Sequence, residues 1–314
     1  MYEQEPVKKV ALIGLGAIGS FLASHLQTVL GDNLRIIAGG ERKERLEREG
    51  VVVNGKQLHF HLVDPAESCG EDYPQLAIII TKFSGLAQAL KDIKNQIGPH
   101  TIIMAPLNGV EKEEIVAAAY GWENLLYSLT RVSVVMKEGK VTFNDASAQM
   151  EFGEKKNETI SPKVRAVKEL FEAAGIRSVV PEDMERAVWL KYMCNVSENQ
   201  SAAVLGLPFG AWTVSDDANW IREALVREVA AVAAKRGIRI TEEDIEQQGK
   251  RLKNVPAANK PSTLQDLEAG RKTEVDMFAG TMMRLGKKYG VPTPYNELFC
   301  HAIRVLEQKN DGLF

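Results

Sequence analysis

The sequence predicts an α/β domain, with a parallel sheet extended by antiparallel strands, followed by an all-α domain. Three observations carry this. Short apolar runs alternate with amphipathic helical stretches through the first half of the chain, the pattern of βαβ units. A glycine-rich turn joins the first run to the first helix. After Pro181 the strand signals stop and only helical spacing remains. At 314 residues the chain exceeds one typical domain, so two are expected, 1–181 and 182–314.

In order, "KKVALIGLGAIGSFLASHLQTVL" reads as strand, turn and helix, and "NLRIIAGG" as a second strand. The mixed-charge "ERKERLEREG" reads as a helix with a solvated face. Next come "VVV" and "LHFHLV", separated by the turn "NGK". "QLAIIITK" and "TIIMAP" are continuous apolar runs, as expected of strands covered on both faces. The amphipathic helix "LAQALKDIKNQIG" lies between them. From Leu125 to Phe152 the runs "LLYSLTRVSVVM", "KVTFN" and "AQMEFG" are strand-like, with turns at Glu138-Gly139 and Asn144-Asp145. These are expected to extend the sheet. "SPKVRAVKELFEAAG" is a helix capped by Ser161 with Pro162 in its first turn, and "IRSVV" is a last short strand. Beyond it, five stretches have helical spacing and punctuation, from "EDMERAVWLKYMCNVSENQSAAVLG" to "NELFCHAIRVLEQKN".

Composition excludes several function classes. A net charge of -3 and a pI near 6.1 provide no basic field for nucleic acid. Three dispersed cysteines, Cys69, Cys194 and Cys300, contain no Cys-x-x-Cys pair. A disulfide framework or zinc site is therefore not expected, and a reducing, cytoplasmic setting fits. His59 and His61 in "LHFH" read as exposed strand histidines rather than metal ligands. Val10 to Gly31 lacks Asp, Glu, Lys and Arg, which resembles a membrane or signal segment. Gly14, Gly16, Gly19, His25 and Gln27 make it a strand-turn-helix instead. No membrane or targeting segment is expected.

"GLGAIG", residues Gly14, Leu15, Gly16, Ala17, Ile18 and Gly19, follows a strand and opens a helix. The first glycine permits the tight turn, the second the approach of a pyrophosphate, and the third close helix-strand contact. N–H groups at the helix start then face the phosphates. This context points to a Rossmann-type dinucleotide site. At the second strand tip, Ala38-Gly39-Gly40-Glu41-Arg42-Lys43 offers no acid for a ribose 2′-hydroxyl. Arg42 and Lys43 are placed to meet a 2′-phosphate, whereas Glu41 could serve NAD. NADP is favoured, with NAD still open. Thr81-Lys82 and Asn108-Gly109 lie past the ends of two further strands, where open α/β sheets bind ligands.

In "AVWLKYMCNVSENQ", Lys191, Asn195 and Asn199 fall four residues apart. On a helix they form one polar strip about 12 Å long. Val188, Trp189, Tyr192, Met193 and Val196 occupy much of the remaining circumference, so a strip lining a cleft is the alternative to one left in water.

With "GLGAIG", "TK" and "LNGV", the segment "WLKYMCNVSEN" and the downstream "KPSTLQDLEAGRKTEVD" resemble the ketopantoate reductase family over nearly the whole chain. The resemblance implies an N-terminal Rossmann domain followed by a helical domain. It also implies Lys191 as the catalytic lysine, with Glu274 in the active site contacting cofactor or orienting that lysine. Asn195, Asn199 and Ser262 would bind substrate, Asn108 would lie between cofactor and substrate, and Lys82 near the nicotinamide. The reaction would be NADPH-dependent reduction of ketopantoate in pantothenate and coenzyme A synthesis. The chain departs from the family pattern at Gly39, where many members carry arginine, and at Phe209, where pantoate-forming members carry asparagine. Another small 2-oxo acid thus remains an alternative substrate, and a non-catalytic dinucleotide sensor a third reading. Apolar helices such as "FAGTMMRLG" suit a core or a homodimer interface equally.

Overall fold

The computed structural model describes residues 5–132, 134–144 and 148–314. The chain divides into two compact units, one ending at Glu185 and the other spanning Arg186–Phe314.

The first unit is built on an eight-stranded sheet. Its strands are β1 (Val10–Ile13), β2 (Leu34–Ile37), β5 (His61–Val63), β6 (Leu76–Ile79), β7 (Ile102–Met104), β8 (Leu125–Arg131), β11 (Gln149–Gly153) and β12 (Ser178–Val179). They lie in the order β12-β11-β8-β7-β6-β1-β2-β5. Every adjacent pair is parallel except β8 and β11. All four residues of β1 and of β6 are buried, because α-helices cover both faces of such a sheet. These helices are α1 (Ala17–Leu30), α2 (Gly40–Glu49), α3 (Leu86–Ile93), α4 (Lys112–Tyr120) and α5 (Pro162–Ala173). Leu12, Ile36, Ile78, Leu22, Ile93 and Phe171 join one hydrophobic cluster. Truncating a fully buried member such as Leu12 to alanine costs about 2–5 kcal/mol. Ser161 caps α5 as its sequence predicts, its side chain accepting from Val164 N.

Two expectations change. "LHFHLV" is not one strand: β4 (Lys56–Leu58) and β5 belong to different sheets, and the chain crosses between them at His59 and Phe60. The hairpin of β9 (Val134–Lys137) and β10 (Lys140–Phe143) does not extend the main sheet. It joins β3 (Val51–Val53) and β4 in a separate sheet ordered β4-β3-β10-β9. Positive φ at Asn54 and Gly55, and at Glu138 and Gly139, makes the two tight hairpin turns. Asymmetric burial explains the second sheet: Val141 is buried while Lys140 and Thr142 are exposed, so only one face seeks cover. Phe143 meets Phe21 of α1 edge-on at 4.8 Å between ring centroids. Of the turn expected at Asn144-Asp145, Asp145 lies outside the described residues, as does Ser133 of the preceding run. The sequence periodicity does not predict helix α4.

The second unit is all helical. Helix α6 (Met184–Leu205) enters it, followed by α7 (Ala211–Val214), α8 (Asp216–Lys235), α9 (Glu242–Leu252) and α10 (Ser262–Glu268). A π-helical segment (Asp276–Gly280) runs directly into α11 (Thr281–Tyr289), and α12 (Pro294–Asn310) is last. From Val196 to Ala203 every residue of α6 is buried, including Ser197, Glu198, Asn199, Gln200 and Ser201. Polar groups at that depth need partners, and α6 finds them in its neighbours. Gln200 Nε2 donates to Asn296 Oδ1 of α12 at 3.0 Å. Glu198 Oε1 accepts from Gln248 and Arg251 of α9 at 3.0 and 2.6 Å. The helix is the polar hub of its unit. Among the described residues, no helix is long and apolar enough to cross a membrane.

Candidate active site

In the first unit the sheet order reverses beside β1, whose chain neighbour β2 lies on one side and β6 on the other. Open α/β sheets bind ligands at such a switch point, beyond the strand carboxyl ends. The "GLGAIG" turn leaves β1 there. Gly14 has φ +107°, and a Cβ on it would lie 2.2 Å from Ile80 O. A Cβ on Gly19 would lie 1.9 Å from Gly14 O. Both glycines are therefore required by backbone approach within the protein itself. Gly16 differs: among the described residues, its chain neighbours apart, nothing lies within 4 Å of its would-be Cβ. It is the N-cap of α1, which has no side-chain cap bond and no acid in its first turn. Ala17, Ile18 and Gly19 thus carry the backbone N–H groups of an uncapped helix N-terminus, which has the chemistry of an anion cradle. The residues fit a dinucleotide pyrophosphate.

Arg42, in the first turn of α2, donates from Nη2 to Leu15 O at 3.0 Å, which sets a guanidinium beside the glycine turn. The residue is exposed by area, but desolvation of its head group, then the charge of Arg45, pulls its pKa below the ordinary value. An arginine keeps its charge all the same. Lys43 is drawn elsewhere, to Glu67 Oε1 at 3.2 Å. Lys82 is exposed beyond β6, and Asn108 is half-buried beyond β7, followed by Gly109 at φ +109°. Thr81 stands beside Lys82 past the end of β6, as the sequence places it. Among the described residues its buried Oγ1 has no hydrogen-bond partner, and its Cγ2 lies 3.1 Å from where a Gly14 Cβ would sit.

In the second unit, Lys191 and Asn195 are half-buried on α6, and Asn199 is 6% exposed. The structure joins Asn199 to Ser262: Asn199 Oδ1 accepts from Ser262 Oγ at 3.0 Å and from Thr263 N at 3.2 Å. This bond supplies the first turn of α10, whose own N-cap Pro261 makes no side-chain cap. Glu274 precedes the π-helical segment, and its carbonyl accepts from Met277 N and Phe278 N, both at 3.0 Å. Phe209 stands edge-on to Trp212 at 5.7 Å between centroids, within a small apolar cluster. Its N–H donates to Asn259 O at 2.8 Å, bringing an exposed asparagine alongside. Residue spacing also missed the fully buried Arg222 of α8, which donates to Asn219 Oδ1 at 2.8 Å and Gln248 Oε1 at 3.0 Å. Gln248 links it to Glu198, so a charged network backs α6.

A glycine turn at the switch point of a doubly wound sheet defines a protein of the dinucleotide-fold class. The chain belongs to the ketopantoate reductase family: the profile for ketopantoate reductase PanE/ApbA matches residues 10–157, and that for its C-terminal domain matches 183–307. It is an oxidoreductase of that family. The oxidoreductase YkpB of Bacillus subtilis is 24% identical over 95% of this chain and 99% of its own length. The 2-dehydropantoate 2-reductase of Pyrococcus horikoshii is 26% identical, over 97% of this chain and 99% of its own. The ternary structure of D-mandelate dehydrogenase with NADH and anilino(oxo)acetate superposes with a TM-score of 0.84 at 25% identity, covering 96% of this chain and 99% of that one.

Proposed function

We propose that the protein reduces a small 2-oxo acid with a nicotinamide dinucleotide, ketopantoate with NADPH being the first candidate. In this reading residues 1–181 hold the dinucleotide, and 182–314 bind substrate and supply the proton. The observation that carries it is the Asn199–Ser262 hydrogen bond. It joins the two signatures of the second unit, the lysine-amide helix and the Ser262 segment, in one physical place. The family's 2-dehydropantoate 2-reductases and D-mandelate dehydrogenase both act on 2-oxo or 2-hydroxy acids, which supports the substrate class.

Gly14, Leu15, Gly16, Ala17, Ile18 and Gly19 form the pyrophosphate cradle, with Arg42 beside it, and Lys82 and Asn108 are assigned to the nicotinamide side. The bound dinucleotide supplies the hydride. The Lys191 ammonium stabilises the negative charge that develops on the ketone oxygen and delivers the proton to it. Glu274 orients that lysine. Asn195, Asn199 and Ser262 bind the carboxylate and hydroxyl of the substrate through neutral donors.

Phe209 favours a second reading within the same chemistry, because its side chain, packed beside Trp212, cannot itself hydrogen-bond a substrate hydroxyl. A panel of 2-oxo acids run with NADPH and NADH decides between them. A preference for ketopantoate in kcat/KM supports the first reading, and a preference for an acid lacking the hydroxyl supports the second. Lys191→Ala is expected to abolish turnover while dinucleotide binding is retained; full turnover in that variant rejects Lys191 as the proton donor, and the dinucleotide-sensor alternative stands only if the parent protein oxidises no NAD(P)H above background with any acid of the panel.

A further inference from the structure

The helix that begins at Val275 opens with five π-helical residues, Asp276–Gly280, before it becomes α11. A π turn is rare and short, and such turns recur at functional sites. One physical cause of a disturbed helix ladder is a side chain that reaches in to its carbonyls. Here that side chain is Tyr192 of α6. Its hydroxyl lies 2.6 Å from Phe278 O and 3.2 Å from Met277 O. The ring is 1% exposed, edge-on to Trp189 at 5.8 Å and tilted against Phe278 at 6.3 Å between centroids. Ring and hydroxyl are both fixed.

Tyr192 is the chain neighbour of Lys191. The two residues whose carbonyls take its hydroxyl are the two whose N–H groups donate to Glu274 O, each at 3.0 Å. The backbone of Glu274 and the helix bearing Lys191 are thus linked through one hydroxyl and one turn. Aromatic packing alone would be satisfied by phenylalanine; the hydroxyl is what grips the turn.

We propose that Tyr192 is a positioning residue, holding the π turn so that Glu274 keeps its place relative to Lys191. The inference rests on the proposed roles of Lys191 and Glu274. Its test is Tyr192→Phe, which removes the hydroxyl and keeps the ring, compared with Glu274→Gln and the double variant. Far-UV circular dichroism checks that each is folded. In Tyr192→Phe, kcat is expected to fall about tenfold while KM for the dinucleotide stays within about twofold, because no ground-state contact is lost. In the double variant kcat is expected to match Glu274→Gln alone, since residues acting as a unit are not additive. Unchanged kcat in Tyr192→Phe overturns the inference, and so do additive losses in the double variant. Lys191→Ala, run alongside, separates the two failures. If it is inactive while Tyr192→Phe has the parent kcat, only the positioning role falls; if it retains turnover, the catalytic reading falls with it.

Discussion

Asn199 Oδ1 accepts hydrogen bonds from Ser262 Oγ and from Thr263 N, at 3.0 and 3.2 Å. One buried amide oxygen therefore caps a helix that begins more than sixty residues later in the chain, while its Nδ2 has no partner among the described residues. The two ends of this side chain have separable jobs, one in stability and one in binding. Asn199→Ala removes both. It should destabilise the second unit by about 1–2 kcal/mol through the lost cap and raise KM for the oxo acid. Asn199→Asp keeps the acceptor and places a negative charge at a helix N-terminus, which is favourable. It should melt close to the parent temperature yet bind a carboxylate substrate less well. Thermal melts and KM measured on the same preparations check this, and equal KM in the parent and Asp variants counts against substrate contact.

The three glycines of the first turn should also separate. At Gly14 and Gly19 an alanine Cβ would lie 2.2 and 1.9 Å from backbone oxygens, and Gly14 has φ +107°. Gly14→Ala and Gly19→Ala should each lower the unfolding temperature, with a cost of about 1–3 kcal/mol or more from strain. The Cβ of Gly16→Ala meets nothing within 4 Å among the described residues beyond its chain neighbours, so this variant should fold normally and lose dinucleotide affinity. Fluorescence titration with NADPH, beside a thermal melt, reads both effects. A Gly16→Ala variant that binds like the parent would remove the pyrophosphate from this turn.

The alternation that placed β1, α1, β6 and β7 was legible because both faces of a parallel strand are buried, and an unbroken apolar run reports that directly. The second sheet was not legible. Its strands pair β3 with β10 across more than eighty residues of chain, and nothing local in "VVV" or "KVTFN" specifies a partner that distant. Likewise, the four-residue spacing of Lys191, Asn195 and Asn199 is a property of one helix and could be read. The contacts of Tyr192 with Met277 and Phe278, and of Arg222 with Gln248, depend on how helices meet. Periodicity does not encode that.

Arg42 and Lys43 are neighbours with different fates. Arg42 donates to Leu15 O beside the glycine turn, whereas Lys43 pairs with Glu67. If Arg42 reads a 2′-phosphate, Arg42→Ala should raise KM for NADPH about tenfold or more, as expected for loss of a charge-assisted hydrogen bond. KM for NADH should change little. Lys43→Ala should affect neither cofactor beyond about twofold, since exposed ion pairs contribute little. Steady-state kinetics with both dinucleotides decides it, and an equal rise for NADPH and NADH would assign Arg42 to the shape of the turn instead.

Asp244 gives the second unit a pH-dependent fastening. Its carboxylate completes a capping box with Thr241 at the start of α9 and accepts from Arg186 Nη2 at 2.6 Å on each oxygen. Burial pushes its pKa up, but the bonds from the Thr241 backbone and hydroxyl and from Arg186 outweigh it and hold the group below its ordinary 3.8. The folded protein thus binds this proton less readily than the unfolded chain does. Its stabilisation is complete above the unfolded pKa and disappears as pH falls through the folded one. Asp244→Ala should therefore be less stable than the parent by about 1–3 kcal/mol at neutral pH. The difference should hold steady down to about pH 5 and shrink progressively below about pH 4. Urea unfolding of both proteins across that range provides the measurement, and a difference that persisted unchanged into strong acid would show that packing, not the carboxylate charge, carries the effect.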